Sequence, residues 1–450
     1  MTEHNPRTWL GAWTPEDPDF WEKTGKSIAW RTLTITTLNL MMAFIVWFVV
    51  SALVVRLPNI GFKLTPTELF WLAAMPGLAA GILRAIHTFL IPLYGTRHVV
   101  AFSTLSLLIP ALGWFYAIQD PTTPYSVLLL LSFLAGLGGG NFSSFMPSTS
   151  LFFPKRLQGT ALAIQAGIGN FGVSVVQFVT PWIIGFALFG TLAGASQTFV
   201  PTVPGAATKP MWLQNAALIY VPFIVVFAIA AWTMLKSVPV RANFREQLDI
   251  FHFSNLHGFW MTSLYVMTFG SFSGFAATFP LMIKQMYTVL PGGPDPLAYA
   301  FLGPLVGAAA RVLAGPISDK LGGAIVTHWS GIGLLICAVG VTFYTHPTSM
   351  EQFPLFVGTM LGVFFFSGVG NASTFKQMPM IFEPRQAGGM IGWTAAMASF
   401  GPFIFGMLIG WSFAATGSPN AFFYGAALFY AFNIAINWWY YARKGAEKPC

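Results

Sequence analysis

Two arginines of this 450-residue sequence, Arg84 and Arg311, stand inside long apolar runs. A guanidinium group stays protonated and presents a planar fork of N–H donors that suits a planar oxyanion. On insertion scales an arginine near the middle of a membrane span costs about 2.5–3.5 kcal/mol, so both should face the protein interior or water. We therefore predict that Arg84 and Arg311 face one cavity and bind a small anion there.

The alternative is that a buried carboxylate neutralises each arginine in a structural ion pair. The 14 acidic residues stand in predicted loops or at the ends of apolar runs, at positions 3, 16, 17, 19, 22, 68, 120, 246, 249, 295, 319, 351, 383 and 447. No interior carboxylate is therefore expected to pair with either arginine. His87, one turn from Arg84, is the only interior group expected to titrate near neutral pH. If the protein exchanged one anion for another across the membrane, it would need no such group to carry protons.

Four amide side chains stand in apolar surroundings, at Asn141, Gln165, Asn170 and Asn371. An amide can donate to an anion without adding charge, so we include all four as candidate ligands. Hydrogen bonding between helices explains any one of them equally well.

Gly167 and Gly169, in the small-residue run 159–174, and Asp319, in GPISDKLGG at 315–323, are candidates for gating or conformational change. Small residues at helical spacing let helix backbones approach closely, and packing alone is the alternative for the glycines. Asp319 can pair with a neighbouring base or a helix N-terminus, or it can lie in a solvated turn.

Composition requires an all-α membrane protein. Apolar residues make up 55% of the chain and charged residues 8%, too few charges to coat a soluble protein of this size. Runs of about 20 apolar residues can each cross a bilayer as a helix. We predict twelve such spans, at 33–56, 69–91, 98–119, 125–151, 159–189, 213–235, 258–284, 297–317, 322–345, 353–382, 387–414 and 420–441.

The distribution of the basic residues along the chain indicates the membrane topology. The first 27 residues lack a signal-peptide pattern, and an even number of spans puts both termini on one side. That side receives 16 Lys and Arg, including Arg7, Arg241 and Arg245, whereas the other receives Arg56, Lys63, Lys209 and Lys284. By the positive-inside rule both termini are cytoplasmic, and the net charge of +8 implies no nucleic-acid partner. The two cysteines imply neither a disulfide nor a metal site, and we expect no cofactor.

The two halves of the sequence repeat each other. Arg84 and Gly95 are each separated by 227 residues from Arg311 and Gly322, and GGGNFSSF around Asn141 resembles GVGNASTF around Asn371 at a separation of 230. Six spans separate the copies, so the repeat is parallel, which places a substrate site between the halves near the midplane. We therefore predict five segments. They are an N-terminal segment 1–32, a six-helix half 33–235, a central loop 236–257, a second half 258–441 and a tail 442–450.

Several motifs resemble those of a known family. They are WTPEDPDFWEKTGKSIAWR at 13–31, GTALAIQAGIGNFGVSVVQ at 159–177 and GVGNASTF at 368–375. Together they look like motifs of the nitrate/nitrite porters of the major facilitator superfamily, particularly of bacterial nitrate/nitrite antiporters. GPISDKLGG resembles the superfamily's loop motif, whose first-half copy here has Pro92 in place of the acid. The resemblance extends over essentially the whole chain.

That resemblance implies a secondary transporter, not an enzyme, that exchanges nitrate for nitrite across the bacterial inner membrane by alternating access. We expect it to function as a monomer in the lipid bilayer. The family's two facing arginines fall on Arg84 and Arg311, and its signature asparagine falls on Asn170. Gln165 stands where family members often have a second asparagine. The aromatic residues lining the anion site fall on Phe44, Phe142, Tyr265 and Phe269.

Two alternatives stay open for the transport reaction. The family also includes nitrate/proton symporters, although the absence of an interior carboxylate favours exchange. Paired arginines can also serve an organic phosphate or carboxylate. A membrane-embedded enzyme would need a nucleophile, metal ligands or an acid/base pair at depth, and no such constellation is visible.

Overall fold

The computed structural model describes residues 8–202, 207–239, 256–382 and 384–450, and for 384–388 the backbone alone. Within these ranges twelve helices are long and apolar enough to cross a membrane, which confirms the predicted number. They are α1 Pro18–Leu53, α2 Pro66–His87, α3 Leu90–Ala117, α4 Tyr125–Phe152, α5 Lys155–Ile183, α6 Asn215–Met234, α7 Leu256–Met286, α8 Leu297–Leu321, α9 Gly323–Tyr344, α10 Met350–Ile381, α11 Gly389–Thr416 and α12 Asn420–Ala442.

The first helix begins before its predicted span, at Pro18. Asp17 caps it by accepting from the Asp19 backbone N–H at 3.0 Å, and proline at the first position has the φ angle a helix needs. Just before it, the Glu16 carboxylate accepts from the Lys155 backbone N–H at 2.8 Å and so caps α5. Local capping therefore extends the helix into sequence that hydropathy alone excludes.

Two glycines mark the same point in the two repeats. Gly95 near the start of α3 has φ 74°, and Gly322 just before α9 has φ 94°, a region that glycine enters without steric cost. A Cβ on Gly95 would meet Trp9, and one on Gly322 would meet Cys450. We call the side of the molecule that carries these four residues the terminal face and the opposite side the far face.

The halves α1–α6 and α7–α12 pack against each other mainly through α2 on α11, α5 on α8, α1 on α7 and α2 on α7. The predicted segment boundaries stay predictions. Most of the predicted central loop, 240–255, lies outside the described residues, as do Arg7, Arg241 and Arg245.

A short hairpin on the far face was not predicted. It consists of β1 Gln197–Phe199 and β2 Lys209–Met211, paired antiparallel in the connection between α5 and α6. The Asn59 side chain donates to the Val200 carbonyl at 2.8 Å and holds the hairpin against the end of α1.

Charged and polar groups join the two halves at the far face. Arg56, after α1, donates through Nη2 to both carboxylate oxygens of Asp295, at 2.5 and 2.7 Å. Lys284 of α7 donates to Asn59 Oδ1 at 2.8 Å and to the Val55 carbonyl. We call Arg56, Asn59, Lys284 and Asp295 the far-face clamp. Because each bond crosses from one half to the other, the clamp holds this end of the molecule closed.

Candidate functional site

Arg84 is fully buried on α2, where that helix packs against α11. Its Nε donates to the Gly139 carbonyl of α4 at 2.8 Å, and its Nη1 donates to the Ala395 carbonyl of α11 at 2.9 Å. The remaining nitrogen, Nη2, is buried and has no hydrogen-bond partner among the described residues. One carbonyl from each half therefore orients the guanidinium and leaves it a donor for another group.

Aromatic rings surround this guanidinium. Its central carbon lies 4.6 Å from the ring centroid of Phe142, 5.2 Å from that of Phe269 and 5.3 Å from that of Trp47. Phe44 packs edge-on against Phe142 and Trp47, at 6.3 and 5.3 Å between centroids. Ring faces stabilise a buried cation while leaving its edge donors free. The structure thus brings three of the predicted aromatic residues together with Arg84.

A continuous row of rings leads from Arg84 to Arg311. Phe269 stacks on Tyr265 at 5.5 Å, and Tyr265 packs against Phe375 at 5.0 Å. The guanidinium of Arg311, on α8, lies 5.3 Å from the Phe375 centroid. The two guanidinium groups are close enough for their like charges to repel each other. We call Phe269, Tyr265 and Phe375 the aromatic bridge.

Both ends of this row retain unpaired hydrogen-bonding groups. Arg311 Nη1 and the Tyr265 hydroxyl are buried without a partner in the described part of the chain, as is Arg84 Nη2. Because a buried donor without a partner costs about 1–3 kcal/mol, three such groups around two like charges indicate a site for a polar anion.

Asn371 lies on the side of α10 that faces α8, the helix that carries Arg311. It lies one turn from Gly368, which closely approaches Gly307 of α8, and one turn from Phe375, which packs on Arg311. Both amide atoms of Asn371 are buried without a partner among the described residues. Its position and its free amide fit the predicted ligand role.

Asn170 faces α8 from the other half. Its neighbours on that side of α5 are Gly167, which abuts Val312, and Ser174, whose hydroxyl donates to the Phe301 carbonyl at 3.0 Å. Both amide atoms of Asn170 are buried without a partner within the described ranges. Gly167 therefore lies at the contact between the halves, as a conformational role requires.

The other two amides differ from each other. Asn141, next to Phe142, keeps a buried Nδ2 that pairs with no described residue. Gln165 instead donates to Thr36 Oγ1 at 3.0 Å and to the Phe145 carbonyl at 3.3 Å, so its donors join α5 to α1 and α4. This arrangement matches the helix-to-helix alternative for Gln165. Gly169 likewise packs on Leu40 of α1, within one half.

His87 is occupied by a local hydrogen bond. The Ser144 hydroxyl donates to the Asn141 carbonyl at 3.1 Å and lies 2.9 Å from His87 Nδ1. Since that hydroxyl has one proton to donate, His87 Nδ1 donates to it. This bond occupies the Nδ1 proton of the neutral imidazole.

Asp319 pairs with a base, one of the two interactions expected for it. Its carboxylate lies 2.6 Å from Lys376 Nζ and joins α8 to α10 within the second half on the terminal face. A gating role for Asp319 stays a prediction. Among the described residues no three His, Cys, Asp or Glu side chains cluster as metal ligands.

Sequence reasoning missed Trp47 and Phe375. Phe375 ends the motif GVGNASTF and stands 230 residues after Phe145, the separation that also relates Asn371 to Asn141. Trp47 stands three residues after Phe44, on the same side of α1. The repeat and the helical period relate them to predicted positions, but neither pattern separates them from the other aromatic residues of the sequence.

Comparisons with known proteins agree with this architecture. Residues 33–379 match the family model described as Major Facilitator Superfamily. The solved structure of a bacterial homologue of the human lysosomal transporter Spinster, inward-facing and unoccupied, aligns with a TM-score of 0.61 and covers 92% of this chain and 93% of that one. At 15% identity, that likeness shows the fold alone.

Two relatives are much more similar in sequence. A probable nitrate/nitrite antiporter NarK2 of Thermus thermophilus is 67% identical over 98% of each chain. The nitrate/nitrite transporter NarU of Escherichia coli strain K12 is 37% identical over 99% of this chain and 98% of that one. The chain therefore belongs to the major facilitator superfamily and, within it, to the nitrate/nitrite porters.

Proposed function

We propose that this chain exchanges nitrate for nitrite by alternating access, with the anion bound between Arg84 and Arg311. The observation that carries the proposal is this pair of buried arginines, one from each half, linked by the aromatic bridge. None of the ion pairs among the described residues includes either arginine. An uncompensated charge within a membrane span marks a substrate path, and the relatives named as nitrate/nitrite transporters support the choice of anion.

The arrangement of donors suits a small oxyanion. Arg84 Nη2, Arg311 Nη1 and the Tyr265 hydroxyl are free to bind its oxygens, and Asn170 and Asn371 offer further amide donors. Hydrogen bonds between an ionised donor and an anion contribute about 1.5–3 kcal/mol each. A single anion can therefore hold groups from both halves at once.

Electrostatics couple binding to the conformational change. With the site empty, two like charges face each other in a medium of low dielectric constant, where their repulsion is strong. A bound anion screens that repulsion and lets the halves close around it. Because the empty carrier reorients reluctantly, each return step needs an anion, and the net result is exchange.

The aromatic walls restrict the size of the cargo. Ring edges carry partial positive charge, so aromatic walls that present their edges favour a small, weakly hydrated anion. Nitrate and nitrite are both small planar monoanions. Phe44, Phe142 and the aromatic bridge crowd the site and so disfavour an organic phosphate or carboxylate.

The site offers little to a proton-coupled reaction. Each acidic residue of the described spans stands toward a helix end, as Glu68 and Asp319 do. His87, the histidine one turn from Arg84, is engaged by Ser144. We therefore favour exchange over nitrate/proton symport.

We infer from the charge distribution that the terminal face is the cytoplasmic side of a bacterial inner membrane. No bond between copies of the chain is needed for this mechanism, so we propose that a monomer suffices.

Competition for nitrate uptake tests the choice of cargo. In reconstituted vesicles that take up radiolabelled nitrate, we expect added nitrite to inhibit strongly and glycerol phosphate in large excess to have little effect. Inhibition by the organic phosphate alone would overturn the assignment of a small inorganic anion.

A further inference from the structure

A second basic site lies on the terminal face, apart from Arg84 and Arg311. A cavity of about 550 Å³ opens there between α1, the beginning of α3 and the end of α6. Arg31 of α1, Arg97 of α3 and Lys236, just after α6, contribute to its wall. The remaining lining residues are Thr8, Thr233, Met234 and Leu235.

Hydrogen bonds within the protein hold the wall of this cavity in place. Arg97 donates through Nε to the Trp232 carbonyl at 2.6 Å, and its guanidinium stacks on the Trp232 ring at 4.4 Å. The Arg97 backbone N–H donates to Ser237 Oγ at 3.2 Å, and the Ser237 N–H donates to the Thr8 carbonyl at 2.9 Å. These bonds fix the guanidinium while its other two nitrogens remain available at the cavity.

The charges of the cavity are not balanced by described carboxylates. Arg31, Arg97 and Lys236 take part in none of the ion pairs found in the described ranges, whereas Lys26 and Lys376 on the same face do. Three cations around one cavity repel each other, and a phosphate group would neutralise them with charge-assisted hydrogen bonds.

The surroundings of the cavity belong to the membrane interface. Trp232 is 40% exposed, Met234 46% and Phe102 59%, although all three are apolar. Tryptophan is enriched at the headgroup level of bilayers, and basic pockets between helices on the cytoplasmic side bind anionic headgroups. A free phosphate ion would use the cations but not these apolar side chains.

We propose that the cavity lined by Arg31, Arg97 and Lys236 binds the phosphate of an anionic phospholipid headgroup, whose acyl chains lie along the exposed apolar surface of α3 and α6. This site is independent of the transported anion. Bound lipid would hold α1, α3 and α6 together on the terminal face.

Lipid retention by the full-length protein tests this proposal. The double variant Arg31→Gln, Lys236→Gln removes two cations that make no side-chain hydrogen bond or ion pair with the described residues. It should therefore spare the fold, and Lys63→Gln on the far face serves as the control. Native mass spectrometry would count the phosphatidylglycerol and phosphatidylcholine molecules retained by each. We expect phosphatidylglycerol binding to fall roughly 10- to 30-fold in the double variant and to stay unchanged in the control.

Three results would overturn the proposal. They are equal retention of phosphatidylglycerol by the double variant and the unaltered protein, equal retention of the zwitterionic lipid, and thermal stabilisation by inorganic phosphate as large as that by phosphatidylglycerol. The last would identify a free phosphate ion as the occupant. Stabilisation by phosphatidylglycerol alone, lost in the double variant, would support the lipid.

Discussion

A lysine in place of Arg84 or Arg311 keeps the positive charge but loses the planar fork of donors. At Arg84 it would also lose the bonds to Gly139 and Ala395 that orient the group. We expect either substitution to reduce nitrate uptake roughly 10- to 100-fold, from the loss of one charged hydrogen bond, while the protein still reaches the membrane. Uptake normalised to membrane abundance measures the effect.

Arg443, which follows α12 and stacks on Trp439 at 4.1 Å, provides the control for the same chemical change. Arg443→Lys should transport normally. Near-normal uptake by both Arg84→Lys and Arg311→Lys would remove these residues from the anion site.

Phe375 should contribute to nitrate binding as much as the aromatic residues that the sequence indicated. It packs on Arg311 at 5.3 Å and on Tyr265 at 5.0 Å, so Phe375→Leu removes both contacts. A cation–π contact contributes about 0.5–2 kcal/mol, and we expect nitrate affinity to fall roughly 2- to 30-fold. Phe365→Leu, on the lipid-exposed side of the same helix, should leave affinity unchanged. Identical affinities for the two variants would show that the bridge does not shape the site.

The arginines could be identified from the sequence because charge inside an apolar run is rare and costly. Phe375 could not be singled out in the same way, since it is one of 73 aromatic residues and any of them can face lipid. For Gln165, the sequence left two readings open, and only three-dimensional contacts with Thr36 and Phe145 distinguish them.

At the scale of elements, the far-face clamp is the structure that access from that side must open. Asp295→Asn removes the ion pair with Arg56 and leaves two unneutralised cations, Arg56 and Lys284, close together. Because the Asp295 carboxylate is half exposed, the pair contributes no more than about 1 kcal/mol. We expect the population open at the far face to rise by up to about fivefold.

Thiol labelling measures that opening. A cysteine at Ser51, buried on α1 and bonded to Gln177, should react faster with an impermeant maleimide in the Asp295→Asn background. Asp120→Asn is the matched control, because Asp120 caps its own far-face turn through Thr122. Equal labelling rates in both backgrounds would mean that the clamp does not hold this end closed.

The lengths of the helices were partly predictable. Hydropathy located most spans to within several residues, but the beginning of α1 depends on the cap at Asp17, which hydropathy does not register. The hairpin Gln197–Met211 has strands of only three residues each, too short for a periodic pattern to reveal.

At the scale of the whole molecule, the number of helices followed directly from the sequence. Backbone groups in lipid must satisfy their own hydrogen bonds, so an apolar run of sufficient length has to be a helix. The repeat that relates Arg84 to Arg311 also predicted that equivalent residues face each other across the halves. How the halves close, through the clamp at one end and α2 against α11 along their length, depends on side-chain contacts that the repeat alone does not specify.

Exchange makes a prediction about the whole transport cycle. The measurement is nitrate uptake into proteoliposomes that are either preloaded with nitrite or empty, each with and without an imposed proton gradient. We expect uptake to require internal nitrite and to be indifferent to the gradient, because no described carboxylate accompanies the arginine pair and His87 is held by Ser144. Gradient-driven uptake into empty vesicles would contradict exchange and would make His87 the first candidate for a proton carrier.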